Sequence, residues 1–159
     1  MRAYADSSFI LRLLTAETDS AAAIGKYRQI GLPPLFFLPL HALEVRNAIL
    51  QCAFHERRSL PARERRHIAR ERDAALNRLD RFLSRRTLLD VALDMDAVIG
   101  RATELATAHT ERLGARAIDL LHVSAALVLE SEVFLTTDDR QAQLARAEGL
   151  KVVTAAGVD

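Results

Sequence analysis

AIDLLHVSAALVLESEVFLTTDDRQAQLARAEGLKVVT, residues 117–154, is the stretch whose reading decides the fold. Ala117–Leu129 is almost wholly apolar and reads as a buried helix, with only Asp119, His122 and Ser124 polar before Glu130. Val133–Thr136 is a compact β-prone run. Asp138–Glu148 returns to a helical period, Gly149 stops it, and Lys151–Thr154 reads as a last strand. Strand, crossover helix and strand again is the unit of a parallel sheet, because parallel neighbours cannot be joined by a tight turn.

The same alternation runs backwards to the start of the chain. Tyr4–Ala5 ends an opening strand, and Ser7 onward predicts a helix with Phe9, Ile10, Leu13 and Leu14 inward. Asp19 is placed to cap a second helix to about Ile30, and Leu35–Leu38 reads as a buried strand. Pro39 suits a first helical turn, from which Leu40 to about His55 continues. Ser59 and Pro61 open a third helical unit with a stripe of Ile68, Ala75, Leu76, Leu79, Phe82 and Leu83. Leu88–Leu89 and Val91 predict a strand, and Asp96 to about Leu113 a helix. The expectation is a three-layer α/β fold, a central parallel sheet flanked by helices. It forms one domain over residues 1–159 with an Arg-rich helical segment at 57–86.

Composition narrows the class. At 159 residues, with half of them hydrophobic, the chain can bury one sizeable core. Six Gly and four Pro are too few for a collagen-like or linker-rich chain. The longest apolar-looking run, Leu32–Leu40, is broken by Pro33, Pro34 and Pro39, so no transmembrane span is expected. Asp6 and Arg12 interrupt the N-terminal apolar stretch, which excludes an export signal. Cys52 stands alone, ruling out intrachain disulfides and thiolate metal sites and pointing to a cytoplasmic location. Net charge is +1, yet eleven arginines against four acids give residues 57–86 a charge of +7, leaving −6 for the remainder. An acidic body with a basic arm suits cation binding and contact with a polyanion.

Many common sites are absent: no glycine-rich phosphate cradle, no zinc-protease histidine pair, no nucleophile elbow. Carboxylates remain. Asp6 follows the opening strand and Asp138 follows Val133–Thr136, the carboxyl ends at which open α/β sheets place their sites. Glu44 lies in the helix after the second strand, and Asp119 begins the apolar helix. Each has a plainer reading. Asp6 and Asp138 suit N-caps, and Glu44 shares a polar helical stripe with Asn47, Gln51 and His55. Asp119 is harder to explain away, since a carboxylate among apolar neighbours is costly unless donors or a cation compensate it; its plainer reading is a satisfied core pair with His122. His122, one turn on, is placed to hydrogen-bond to it and to support rather than ligate. Convergence of the four charges predicts that neutralising Asp119 leaves the metal-free protein at least as stable.

Ala5-Asp6-Ser7-Ser8-Phe9, Leu43-Glu44-Val45-Arg46-Asn47-Ala48, Arg116-Ala117-Ile118-Asp119-Leu120-Leu121-His122-Val123, Phe134-Leu135-Thr136-Thr137-Asp138-Asp139-Arg140-Gln141 and Gly149-Leu150-Lys151-Val152 come in this order along the chain. In these blocks the sequence resembles the PIN-domain nucleases, and within them the VapC-type toxins of bacterial type II toxin–antitoxin pairs. The resemblance implies a metal-dependent endoribonuclease whose catalytic, metal-binding acids are Asp6, Glu44, Asp119 and Asp138. It implies supporting roles for Ser7, Thr136 and Thr137, with His122 and Asp139 beside them, Asp139 being the alternative fourth acid. It also implies a homodimer and a cognate antitoxin protein covering the pocket.

The chemistry agrees with the residue types. Mg²⁺ or Mn²⁺ prefers carboxylate oxygens, and a bound ion activates water for attack on phosphorus. Arg63, Arg65, Arg66 and Arg70 are placed to hold RNA phosphates, against the plainer reading of a solvated, ion-paired face. Two rivals stand beside this reading. A Mg-dependent phosphoacceptor receiver domain normally has adjacent acids after its first strand, where this chain has Asp6-Ser7-Ser8. A non-catalytic RNA-binding module would gain nothing from four acids near phosphate.

Overall fold

A computed structural model describes residues 1–16 and 19–154, the side chain of Glu64 excepted. Five strands, β1 (Ala3–Ala5), β2 (Leu35–Phe37), β3 (Leu88–Asp90), β4 (Val133–Thr136) and β5 (Lys151–Thr154), form one sheet in the order β3-β2-β1-β4-β5. Every pairing is parallel. The fold is α/β, with this sheet between two helical layers.

Alternation of side chains along the strands assigns the layers. Ala3 and Ala5 of β1 join Leu35, Phe37, Val133 and Leu135 in a core with α1 (Ser7–Leu14), α2 (Ser20–Gln29), α3 (Pro39–Ser59) and α4 (Arg65–Ser84). Tyr4 and Phe134, between those positions, face the other core with α5 (Met95–Leu113), α6 (Ala117–Val128) and α7 (Asp139–Ala147). The chain winds outward from β1 to β3, then crosses back to β4. Right-handed crossovers in opposite directions put helices on opposite faces, which creates a switch point between β1 and β4.

Local details follow the sequence with small shifts. Leu38 leaves β2 to become the N-cap of α3, Val91 lies just beyond β3, and α3 runs past His55 to Ser59. Asp19 precedes α2 but its side chain makes no capping hydrogen bond, a correction to the expected cap. Gly149 takes φ +80, the left-handed conformation that lets α7 end and β5 begin. His41 staples the second crossover to the first strand. Its Nδ1 accepts the Leu38 N–H and its Nε2 donates to the Ala5 carbonyl, both at 2.9 Å. Among the described residues no helix is long and apolar enough to cross a membrane.

The Arg-rich segment is a helical hairpin. The end of α3, a 3-10 turn over Ala62–Glu64 and α4 make it up, and Arg46 of α3 pairs with Asp80 of α4 at 3.2 Å. Ile68, Ala75 and Leu79 bury the stripe of α4.

Candidate active site

The switch point delivers Asp6 and Asp138 to the same end of the sheet. The Asp6 N–H donates to the Leu135 carbonyl at 2.9 Å, so the β1–β4 ladder holds its backbone one residue beyond β1. Asp6 is fully buried and caps α1, Oδ1 accepting the Phe9 N–H at 2.8 Å. Its Oδ2 accepts the Thr136 hydroxyl at 2.7 Å, and Ser8 donates to the same carboxylate. The Thr136 oxygen in turn accepts the Asp138 N–H at 2.9 Å. Thr137 donates its hydroxyl to Ser8 at 2.7 Å.

Asp138 also divides its work. Oδ1 caps α7 by accepting the Arg140 and Gln141 N–H groups, while Oδ2 accepts from the Arg116 guanidinium at 3.2 Å. Both strand-end acids are therefore N-caps and network members at once, one oxygen serving each purpose. Asp139 is exposed on α7, and it is Asp138 that joins the network.

Asp119 sits in the first turn of α6, completely buried. Oδ2 accepts the Arg116 backbone N–H at 2.9 Å and the Arg116 Nε at 3.2 Å; Oδ1 accepts Gln141 Nε2 at 3.2 Å. Glu44, half-buried on α3, accepts the Ser7 hydroxyl at 2.8 Å and His122 Nε2 at 2.7 Å, both on Oε2. Asn47, Gln51 and His55 of the same stripe are exposed, so the solvated face begins only after Glu44. Asp6, Asp119 and Asp138 thus share one hydrogen-bonded network through Thr136, Arg116 and Gln141, and Glu44 joins its edge through Ser7, the residue next to Asp6, with His122 behind it. The PIN domain family model matches residues 3–147, which span every one of these residues.

The chain belongs to the PIN domain family. No curated protein matches it. PIN domains are typically nucleases, commonly metal-dependent ones acting on RNA.

The acids of this PIN domain fit a hard divalent cation in donor chemistry, for all four offer carboxylate oxygens. Burial pushes the Asp6 carboxyl above its ordinary 3.8, and His122, Thr136, the Phe9 N–H and Ser8 offset only part of that. A buried carboxylate with its charged form disfavoured is one that a cation stabilises. Glu44 goes the other way. Burial raises it, but the hydrogen bond and electrostatic influence of His122, with Ser7, bring it below its ordinary 4.5. Among the described residues no three Asp, Glu, His or Cys side chains stand as a ready-made ligand group. Arg116 supplies the positive charge instead, bridging Asp119 and Asp138.

Two expectations are corrected here. His122 does not bond to Asp119, whose oxygens turn back to the start of α6 and to Gln141; it bonds to Glu44 and, through Nδ1, to Tyr4. Neutralising Asp119 is not free either, since every recorded contact of its carboxylate is with a donor.

Arg116, Gln141, Ser8 and Tyr4 were not singled out by sequence reasoning. Arg116 carried a signal: a cation at a helix N-terminus opposes the helix dipole and asks for a nearby anion. Gln141 stands three residues after Asp138, the spacing of a capping box, yet its side chain serves Asp119 instead. Arg63, Arg65, Arg66 and Arg70 are exposed at the hairpin tip. Fifteen residues of α3 separate Glu44 from Ser59, about 22 Å at helical rise, so this cluster stands well apart from the acids.

Proposed function

We propose that this PIN domain is a Mg²⁺- or Mn²⁺-dependent endoribonuclease, the VapC-type toxin of a toxin–antitoxin pair. One observation carries the reading: four acids from four separate elements gather at the β1–β4 switch point, Asp6, Asp119 and Asp138 in one hydrogen-bonded network and Glu44 bonded to Ser7, the residue next to Asp6. Asp6, Glu44, Asp119 and Asp138 would hold the cation, which when bound activates water and neutralises charge on the phosphoryl oxygens. Thr136 and Ser8 keep Asp6 turned toward the site, and Ser7 and His122 do the same for Glu44. Arg116 holds Asp119 and Asp138 together without metal, and its exposed guanidinium is free to turn to a phosphate oxygen. The expected products carry a 5′-phosphate and a 3′-hydroxyl. At some 20 Å along α3, Arg63, Arg65, Arg66 and Arg70 would grip RNA flanking the cut rather than the scissile phosphate.

Partners follow from the same reading. Leu43, Leu50 and Phe54 are large, exposed and on one face of α3, which supports a homodimer through that helix. A cognate antitoxin would cover the acids. Membership of the PIN family speaks against a phosphoacceptor receiver domain.

The test is cleavage of total cellular RNA by purified protein with metal, with chelator, and as Asp6→Asn and Asp119→Asn. Activity restored by Mg²⁺ or Mn²⁺ and lost in both variants is the expected result. Undiminished cleavage in chelator refutes the mechanism, and RNA binding without cleavage under any metal favours a non-catalytic module.

A further inference from the structure

Beneath Glu44 lies a buried polar cluster whose tyrosine the proposed chemistry does not use. Tyr4 of β1 is fully buried, stacked on Phe134 at 5.6 Å with rings 8° apart, and flanked by His41 and His122. Its hydroxyl meets His122 Nδ1 at 2.9 Å. His122, itself buried, meets Glu44 Oε2 through Nε2 at 2.7 Å, and Glu44 takes the Ser7 hydroxyl on that same oxygen.

Polar accounting sets the direction of this chain. A buried phenol that fails to donate leaves its proton without a partner, a state native interiors avoid. His122 Nδ1 is the partner the described residues offer it, so Tyr4 donates and Nδ1 accepts. The ring's N–H then belongs on Nε2, where the carboxylate of Glu44 receives it. With the opposite tautomer, Nε2 would turn a lone pair toward Glu44 and repel it.

We propose that Tyr4 is a positioning residue of the acidic site: by fixing the tautomer of His122 it fixes the orientation of Glu44. The inference rests on Glu44 belonging to the metal-binding set, but the tautomer can be read without metal.

The experiment compares the full-length wild type, Tyr4→Phe, His122→Gln and the double variant. Imidazole nitrogen NMR on chelated protein reads the tautomer, and calorimetric titration with Mn²⁺ alone reads affinity. Tyr4→Phe keeps the ring stack, and circular dichroism verifies its fold. His122→Gln keeps an N–H donor of similar reach that needs no tautomer. Expected are a protonated Nε2 and bare Nδ1 on His122 in the wild type, and mixed tautomers in Tyr4→Phe. Mn²⁺ affinity should fall by roughly tenfold in Tyr4→Phe, the lower end of the roughly 10–100-fold cost of losing a partner behind a metal ligand, because Tyr4 acts on Glu44 through His122. In the His122→Gln background the same change should have no further effect. A purely structural tyrosine would lower thermal stability in both backgrounds and leave tautomer and affinity alone, and that result overturns the proposal. A wild type with Nδ1 protonated and Nε2 bare overturns it too. If the wild type binds no Mn²⁺, the metal reading of the site fails, and the tautomers in wild type and Tyr4→Phe still decide the role of Tyr4.

Discussion

Asp119→Asn replaces a carboxylate oxygen by NH₂ where every recorded contact is with a donor: the Arg116 N–H, the Arg116 Nε and Gln141 Nε2. The new amide turns its oxygen to the Arg116 N–H, which leaves its NH₂ facing Gln141. Gln141 has an answer, because its buried Oε1 has no hydrogen-bond partner among the described residues. A half-turn of the Gln141 amide presents that oxygen to the new donor. What remains lost is the carboxylate charge on two hydrogen bonds, those with the Arg116 N–H and Gln141, since the exposed Arg116 guanidinium keeps its own charge and its access to water. Charged bonds contribute about 1.5–3 kcal/mol and neutral ones about 0.5–1.5, so with one bond long and the other part-buried the cost is about 1 kcal/mol. In a chain of this size that is a fall of roughly 2–4 °C in Tm. Asp119→Ala removes both acceptors and takes a partner from three donors, of which the Arg116 Nε is exposed enough to meet water and the other two are stranded, costing about 3 kcal/mol or roughly 6–12 °C. Scanning calorimetry in chelator measures both. Excess Mg²⁺ at about a hundred times Kd then adds about 2.7 kcal/mol to the wild type, roughly 5–11 °C, and much less to either variant. Equal Mg²⁺-induced shifts in wild type and Asp119→Asn would refute Asp119 as a ligand. An Asn variant as unstable as the Ala variant would refute the Gln141 rearrangement.

Three further outcomes are expected. Removing the guanidinium in Arg116→Gln frees Asp119 and Asp138 from a competing cation, so Mg²⁺ should bind more tightly by titration calorimetry while the chelated protein melts lower; weaker Mg²⁺ binding would contradict the competition. Changing Arg63, Arg65, Arg66 and Arg70 together to Gln should weaken RNA binding across sequences and flatten its salt slope by roughly 0.7 per lost contact on a single strand, an unchanged slope marking a merely solvated face. Burial, then His122, lowers His41 from 6.5 to about 3, so the folded ring stays neutral where the unfolded one takes a proton. Stability is therefore full above pH 6.5 and lost as pH falls toward 3, by about 2 kcal/mol at pH 5. Asp6, raised above 3.8, acts with the opposite sign, so the check is His41→Asn, which shares Asp6 and keeps an acceptor for the Leu38 N–H. Chelated His41→Asn should lose less stability than the wild type between pH 7 and pH 5, and equal losses would sink the assignment.

The strand–helix alternation was legible because burial imposes a period on each element, and Val133–Thr136, Ala117–Leu129 and Lys151–Thr154 carry theirs almost without interruption. The positions of the four acids were legible for a related reason. Strand ends and helix starts are marked by local residues, and Asp6, Asp119 and Asp138 all stand at such marks. Partners across the chain left no such mark. Glu44 and His122 are 78 residues apart, Tyr4 and His122 are 118 apart, and Thr136 reaches Asp6 over 130. Helical spacing alone paired His122 with Asp119, its neighbour one turn away. Only the tertiary packing could overrule that, since the first turn of α6 claims one oxygen of Asp119, Gln141 claims the other, and β1 brings Tyr4 against the imidazole. Local sequence thus determined which acids reach the end of the sheet. The crossing of the chain at β1 and β4 decided which donors they meet there, because a hydrogen bond is selected by distance and direction in space, and sequence separation constrains neither.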